Sequence, residues 1–176
     1  MCTRSRARLA AKGDDVRTAA LFAGIAVLSL AAGARAQTLH FNFIIEGAQE
    51  VPPVNTPGIG VGDVFLNTQT NELSWNIGFT QLLGTVTGAH FHGPAPIGIN
   101  AGILFDIGAV SGLVSPMIGS TILSPAHAAD VQAGLWYVNI HTDRHPGGEI
   151  RGQVIPAPGA LAVLLGAGLF AARRRR

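Results

Sequence analysis

Hydrophobic and polar residues alternate with a period of two along much of the chain between residues 37 and 155. The first run places Leu39, Phe41, Phe43 and Ile45 on one side, and a second run does the same over 73–79. Successive side chains of a strand point to opposite faces, so this period predicts half-buried β-strands. Further strands are predicted at 62–67, 86–92, 103–107, 135–142 and 149–155, separated by clusters of Gly, Pro and Asn.

One short helix is predicted at residues 125–133. Ser124 precedes it as N-cap, Pro125 takes its first position and Gly134 follows its end. These are the residue types that begin and end helices. The many short strands do not alternate with long helices, which favours an all-β fold, an antiparallel β-sandwich or barrel, over a parallel α/β sheet.

The N-terminal segment, residues 1–36, has the pattern of a secretory signal peptide. Five basic residues lie within the first 17 positions, followed by an apolar stretch at 19–32 and then by Ala34-Arg35-Ala36. A basic region, an apolar core and an Ala-x-Ala site are the features that signal peptidase recognises. We expect an N-terminal signal helix that is removed after Ala36. The only cysteine, Cys2, lies in this segment, so the exported domain is expected to have no disulfide.

The C-terminal segment, residues 156–176, predicts a transmembrane helix. It contains Pro156-Ala157-Pro158, an apolar run and four terminal arginines. The arginines would stay on the cytoplasmic side, and about 16 apolar residues span about 24 Å of a core about 30 Å thick. The segment resembles the PEP-CTERM sorting signal, with Ala157 where that family usually has Glu. The resemblance implies processing by an exosortase in the inner membrane; an ordinary single-span anchor is the alternative.

Charge is distributed unevenly between the ends and the middle of the chain. The full sequence has a net charge of +2, but ten of its twelve basic residues precede Gln37 or follow Ala172. Between them, two basic residues stand against eight acidic residues, which gives the predicted domain, 37–155, a net charge of −6. Such a domain offers no cationic surface to phosphates, so a nucleic-acid partner is not expected.

Three histidines are candidate metal ligands. His90 and His92 are two apart on a predicted strand and project from the same face, as Tyr137, Asn139 and His141 do on another. If these strands are neighbours, the imidazoles of His90, His92 and His141 converge on a site suited to copper or zinc. The alternative is that they only donate structural hydrogen bonds. His145 is a possible fourth ligand, whereas His40 and His127 have no clustered partner.

The His-x-His strand in a cysteine-poor β domain is similar, at the level of fold only, to copper/zinc superoxide dismutases. The full set of ligands of that enzyme is not found here. We therefore expect an immunoglobulin-like or superoxide-dismutase-like arrangement of strands, without inferring the enzyme's activity.

Three charged residues are assigned structural roles. Glu149 and Arg151 are two apart and would share a strand face, where a surface ion pair is the simplest interpretation. A more specific expectation is that Arg151 pairs with Glu50 and joins the first and last parts of the domain. Gly147-Gly148 is expected to form a hairpin turn. No Ser/His/Asp order or nucleophile elbow is found, so no catalytic residue is assigned.

Three segments resemble the CHRD domain, named after chordin. They are the opening Gly-Ala-Gln-Glu-Val-Pro-Pro (47–53), the central Ala-His-Phe-His-Gly-Pro (89–94), and the closing His141-Thr142 followed by Pro-Gly-Gly-Glu-Ile-Arg-Gly-Gln (146–153). The resemblance implies an extracellular β-rich module.

Two functions follow from these patterns. The first is a non-enzymatic binding or structural module of the cell envelope, cell surface or extracellular matrix, anchored transiently or permanently in the inner membrane. Its expected partners are an exopolysaccharide or an envelope protein. The alternative is a copper- or zinc-binding domain with redox activity.

Overall fold

The computed structural model describes residues 37–155, which form an all-β domain with two short helices. The alternating runs form strands because one side of each strand is buried: in the first, Leu39, Phe41, Phe43 and Ile45 are buried between exposed neighbours. The elements in chain order are β1 (Thr38–Glu46), a 3₁₀ turn (Gly47–Gln49), β2 (Ile59–Asn67), β3 (Glu72–Thr80), β4 (Val86–His92), β5 (Ile103–Asp106), α1 (Ile107–Ser111), β6 (Met117–Ile122), α2 (Pro125–Gln132), β7 (Trp136–Thr142) and β8 (Ile150–Val154).

The eight strands form one antiparallel sheet in the order β5-β4-β7-β8-β1-β2-β3-β6. The first and last strands of the chain are neighbours in the middle of the sheet, where Glu46 pairs with Arg151. The prediction of an antiparallel all-β domain is confirmed. It is built as a single continuous sheet that curls into a half-barrel.

Aromatic contacts across the concave side define the curl. Trp75 on β3 packs edge-on against Phe91 on β4 and Phe105 on β5, with ring centroids 5.6 and 5.5 Å apart. These strands lie near opposite edges of the sheet, so the sheet must fold over for them to meet. The Trp75 indole also donates a hydrogen bond to Ser111 Oγ in α1 at 2.9 Å. The core therefore lies inside the curl.

The opposite face of β4, β7 and β8 is also covered, by loops. Every residue of β7 except the half-buried His141 is buried, and so is every residue of β8. A strand buried on both faces needs a second layer. Here that layer consists of the segments around Glu50, Asn100 and Pro146, which contact β7 and β8 through hydrogen bonds.

The predicted helix is confirmed, with the expected ends. Ser124 Oγ accepts a hydrogen bond from His127 N at 3.2 Å, Pro125 occupies the first turn, and Gly134 has a φ of 71° just after the last turn. Strand β6 and helix α1 were not predicted from the sequence pattern. The strand predicted at 103–107 ends at Asp106. The carboxylate of Asp106 accepts a hydrogen bond from Ala109 N at 2.9 Å and so caps the start of α1.

Within residues 37–155, no helix is long and apolar enough to span a membrane. The predicted signal peptide, 1–36, and the predicted C-terminal membrane segment, 156–176, lie outside the described residues.

Candidate metal centre

The three predicted histidines lie together on the loop-covered face of the sheet. Strands β4 and β7 are antiparallel neighbours, which places His90 opposite Asn139 and Gly88 opposite His141. The ring centroid of His90 lies 5.7 Å from that of His92 and 4.9 Å from that of His141. The ring centroids of His92 and His141 are 5.9 Å apart. One nitrogen from each ring lies within 4.8 Å of one from each of the others.

Backbone carbonyls from two loops fix the orientation of two of these rings. His92 Nδ1 lies 3.0 Å from Ala101 O, and His141 Nδ1 lies 2.9 Å from Pro146 O. A carbonyl oxygen can only accept, so each Nδ1 carries the proton and donates it. In the neutral ring this leaves the Nε2 lone pair free, which is the arrangement found in metal-binding histidines with an outer hydrogen-bond partner.

The free nitrogens have no hydrogen-bond partner in the protein. His92 Nε2, His141 Nε2 and His90 Nδ1 are all buried and unpaired. Buried polar atoms are nearly always satisfied, and three unsatisfied atoms of one type in one place require an explanation. A hydrogen-bonding role alone accounts for the two Nδ1 atoms of His92 and His141 but not for the three free nitrogens.

The surroundings keep two of the rings neutral. Burial is the main cause that lowers the pKa of His92, and the electrostatic effect of Arg151 and of the neighbouring imidazoles lowers it further, against the raising effect of the bond to Ala101 O. Burial likewise lowers the pKa of His141, with His90 adding to the effect and the bond to Pro146 O opposing it. The neutral ring is the form that binds a metal ion.

Tyr137 links the cluster to Arg151. Its ring is stacked on His92, with centroids 5.0 Å apart and planes at 11°, and the guanidinium carbon of Arg151 lies 3.5 Å from the same tyrosine ring. Arg151 also donates to Asn100 Oδ1 at 2.9 Å and to Ile99 O at 2.8 Å. The loop before β5 is therefore fixed to β8 by a buried cation.

The expected pairing of Arg151 with Glu50 does not occur as a direct ion pair. In the described part of the chain, the only ion pair joins His40 to Asp63. Arg151 is satisfied instead by the tyrosine ring and by the two acceptors on the neighbouring loop. Glu50 is close enough to influence Arg151 through its charge but is bonded elsewhere.

Glu50 lies buried beside Asn139. Its Oε2 accepts a hydrogen bond from Asn139 Nδ2 at 3.4 Å, while its Oε1 has no partner. Burial raises the pKa of Glu50 to about 7, although the charge of Arg151 and the bond from Asn139 act in the opposite direction. Gly148 allows this packing: a Cβ there would overlap both Asn139 and Glu50. Of the predicted turn glycines, Gly148 has a positive φ, 127°, and Gly147 does not.

Glu149 is also buried, and its hydrogen-bond partners are not those of Arg151. It accepts hydrogen bonds from Leu83 N at 2.6 Å and from the hydroxyls of Thr56 and Thr142, both at 2.7 Å. Burial raises the pKa of Glu149, but these hydrogen bonds outweigh that effect and hold it below its ordinary value. Glu149 therefore joins three separate segments of the chain, instead of forming a surface ion pair.

The remaining histidines lie outside the cluster. His145, the possible fourth ligand, is not in the group of three, and His127 packs on Trp136 with ring centroids 5.5 Å apart. The carbonyls of Ala101 and Pro146 carry no sequence signal, because any residue supplies a backbone carbonyl. Gly88 was not predicted either: it leaves room for the His90 ring, since a Cβ there would lie 3.0 Å from His90 Cε1.

Comparison with known proteins assigns the domain. Neither the curated proteins nor the solved structures include a match to this chain. Residues 41–154 match the CHRD domain, a range that runs from within β1 to the end of β8 and contains all three histidines. This match covers well over half of the chain, and the protein therefore belongs to the CHRD domain family.

Proposed function

We propose that this protein is an exported, non-enzymatic CHRD module that binds one copper or zinc ion through His90, His92 and His141. Two observations carry the proposal: one nitrogen from each of the three rings lies within 4.8 Å of one from each of the others, and each ring has a buried nitrogen with no hydrogen-bond partner. Two of the rings are held by backbone carbonyls in the tautomer that leaves Nε2 free. Imidazole nitrogens suit both metals, and such outer partners are typical of metal-binding histidines.

The metal proposal is tested with the full chain, expressed without a histidine tag and purified without chelators. Elemental analysis is expected to give about one equivalent of copper or zinc. The double variant His90→Ala, His92→Ala is expected to carry none, whereas His40→Ala, which removes an exposed histidine outside the cluster, keeps the full amount. A correctly folded parent that takes up neither metal when offered both would overturn the proposal.

The place of action that we propose is the cell envelope or the extracellular matrix. Membership of the CHRD family and the signal-like pattern of residues 1–36 support export. The C-terminal pattern, with its apolar run and four arginines, supports recognition by an exosortase-type enzyme in the inner membrane. Exopolysaccharide or an envelope protein is the proposed partner.

Deletion of Arg173 to Arg176 tests the sorting step. Surface display, measured by protease accessibility on intact cells, is expected to fall, because the arginine block would no longer hold the tail on the cytoplasmic side. Unchanged display of the deletion variant would contradict sorting by this tail. Substituting the four arginines with lysine keeps the positive charge and separates recognition of arginine from simple orientation by charge.

A further inference from the structure

We propose that the ion held by His90, His92 and His141 is monovalent copper. This inference rests on the proposed function, since it assumes that the cluster binds a metal. It goes further in naming the oxidation state, which decides the chemistry that the site can support. Three features of the site favour it: the ligands, the surrounding charge, and the shielding of the nitrogens from water.

The ligand set is small and neutral. Among the described residues, the group consists of three histidines and contains no cysteine, aspartate or glutamate. Zinc bound by three histidines takes a water molecule as its fourth ligand. Divalent copper prefers four or more ligands in a tetragonal arrangement. Monovalent copper has a filled d shell and accepts two or three imidazole nitrogens without an anionic ligand. The three-histidine set satisfies this ion without additional donors.

The nearby charge opposes a divalent ion more than a monovalent one. Arg151 is 1% exposed, and its guanidinium carbon lies 3.5 Å from the centre of the Tyr137 ring. That ring centre is 5.0 Å from the centre of His92, so the buried cation is within about 8.5 Å of a ligand ring. Repulsion by this cation is twice as large for an ion of charge +2 as for one of charge +1.

Among the described residues the ligand group contains no carboxylate, and Glu50 acts on Arg151 through its charge only. Glu50 lies on the same side of the sheet, but its Oε2 accepts from Asn139 and it does not belong to the ligand group. Glu149 is occupied by Leu83 N and the two threonine hydroxyls. The compensation that a divalent ion normally receives from ionised ligands is therefore absent at the imidazoles.

The three free nitrogens are shielded from solvent by the protein. Each has almost no water-accessible surface, and His92 as a whole is 7% exposed. A divalent ion would have to give up most of its strongly held water to reach them, with only three neutral groups in exchange. A monovalent ion is more weakly hydrated and loses less, because the cost of burying charge rises with the size of the charge.

Competition titrations with the full chain test the inference. Affinity for monovalent copper is measured anaerobically, with ascorbate as reductant and bicinchoninate as the competing chelator; affinities for Zn²⁺ and Cu²⁺ are measured against chromophoric chelators of known strength. We expect one equivalent of monovalent copper, bound at least about tenfold more tightly than Zn²⁺, as the repulsion by Arg151 implies. The variant His90→Ala, His92→Ala should lose monovalent copper binding, whereas His40→Ala should keep it.

Arg151 provides a second readout. In Arg151→Met, which removes the charge but keeps an unbranched side chain, the preference for monovalent copper over Zn²⁺ should fall by about tenfold. Arg151→Lys, which keeps the charge, should retain the preference. If Arg151→Met does not fold, the comparison of metals in the parent protein still decides the matter.

The outcomes separate the two proposals. Stoichiometric Zn²⁺ or Cu²⁺ bound as tightly as monovalent copper would overturn the oxidation state and leave the metal site standing. A folded parent that binds none of the three ions would overturn both. A metal preference that is unchanged in Arg151→Met would overturn the inference that the buried cation selects the monovalent ion.

Discussion

The buried carboxyl of Glu50 makes the stability of the domain depend on pH in an unusual direction. Burial raises its pKa from 4.5 to about 7, so between these values the folded protein takes up a proton that the unfolded chain has released. Stability supplied by this proton is present at low pH and is lost as the pH rises through about 7. Substitution Glu50→Gln removes the titration and keeps a side chain of the same shape beside Asn139.

The size of the effect follows from the two pKa values. A shift from 4.5 to about 7 makes the folded state about 2.5 kcal/mol less stable at pH 8 than at pH 5, counting Glu50 alone. Because protein sites respond to a buried charge with a higher effective dielectric constant than a dry interior, we reduce this by about half, to roughly 1 to 2 kcal/mol. The glutamine variant should therefore gain this amount of stability relative to the parent when the pH rises from 5 to 8.

Urea unfolding, followed by tryptophan fluorescence in the presence of a chelator, measures the effect. The difference in free energy of unfolding between variant and parent is compared at pH 5 and pH 8, so that histidines common to both proteins cancel. Glu72→Gln, which removes an exposed carboxyl at the start of β3, is the matched control and should show no such change. If the difference for Glu50→Gln is the same at both pH values, the reasoning from burial is wrong.

Three further substitutions and one control, each followed by chemical unfolding, test other parts of the domain. Glu149→Gln should lower the free energy of unfolding by about 3 kcal/mol, because the amide NH₂ would face groups that now donate hydrogen bonds to the carboxylate. The parent should lose stability as the pH falls below 4.5 and through the lowered pKa of Glu149, whereas the variant should not. Gly148→Ala should cost at least about 2 kcal/mol through its positive φ and its overlap with Asn139, whereas Gly147→Ala, in open space, should change stability by under about 1 kcal/mol. Ser124→Ala should cost about 1 kcal/mol by removing the N-cap of α2. Equal effects of the two glycine substitutions, or none at Glu149 or Ser124, would contradict these assignments.

The sequence predicts the strands of this domain where one face is buried and fails where that contrast disappears. In β1 and β3 the buried residues alternate with exposed or half-buried ones, and both strands were located from this period. In β6 the large apolar side chains of Ile118 and Ile122 are exposed, while Gly119 and Thr121 face the other way. Because two of its three large apolar residues, Ile118 and Ile122, point outward and only Met117 is buried, this edge strand does not show the expected pattern.

The candidate site was predictable in its ligands and not in its supports. Spacing alone placed His90 and His92 on one face, and their approach to His141 depended on β4 and β7 being neighbours, which the structure shows. The role of Arg151 was not predictable from charge. Its partners are an aromatic ring and loop atoms brought together by long-range pairing, and no local pattern encodes them. The proposed signal peptide and membrane segment remain predictions.

The position of β8 has a consequence for how the chain folds. This strand is the last of the domain to be synthesised, yet it lies in the middle of the sheet between β7 and β1. Until β8 is in place, the sheet consists of two separate groups of strands, one of β1, β2, β3 and β6 and the other of β4, β5 and β7. In these groups β1 and β7 each present an unpaired edge. Contacts between strands far apart in sequence form slowly, and open edges invite pairing with other chains. Completion of the sheet thus waits for the final residues, and the incomplete chain is the stage at which this protein is most exposed to aggregation.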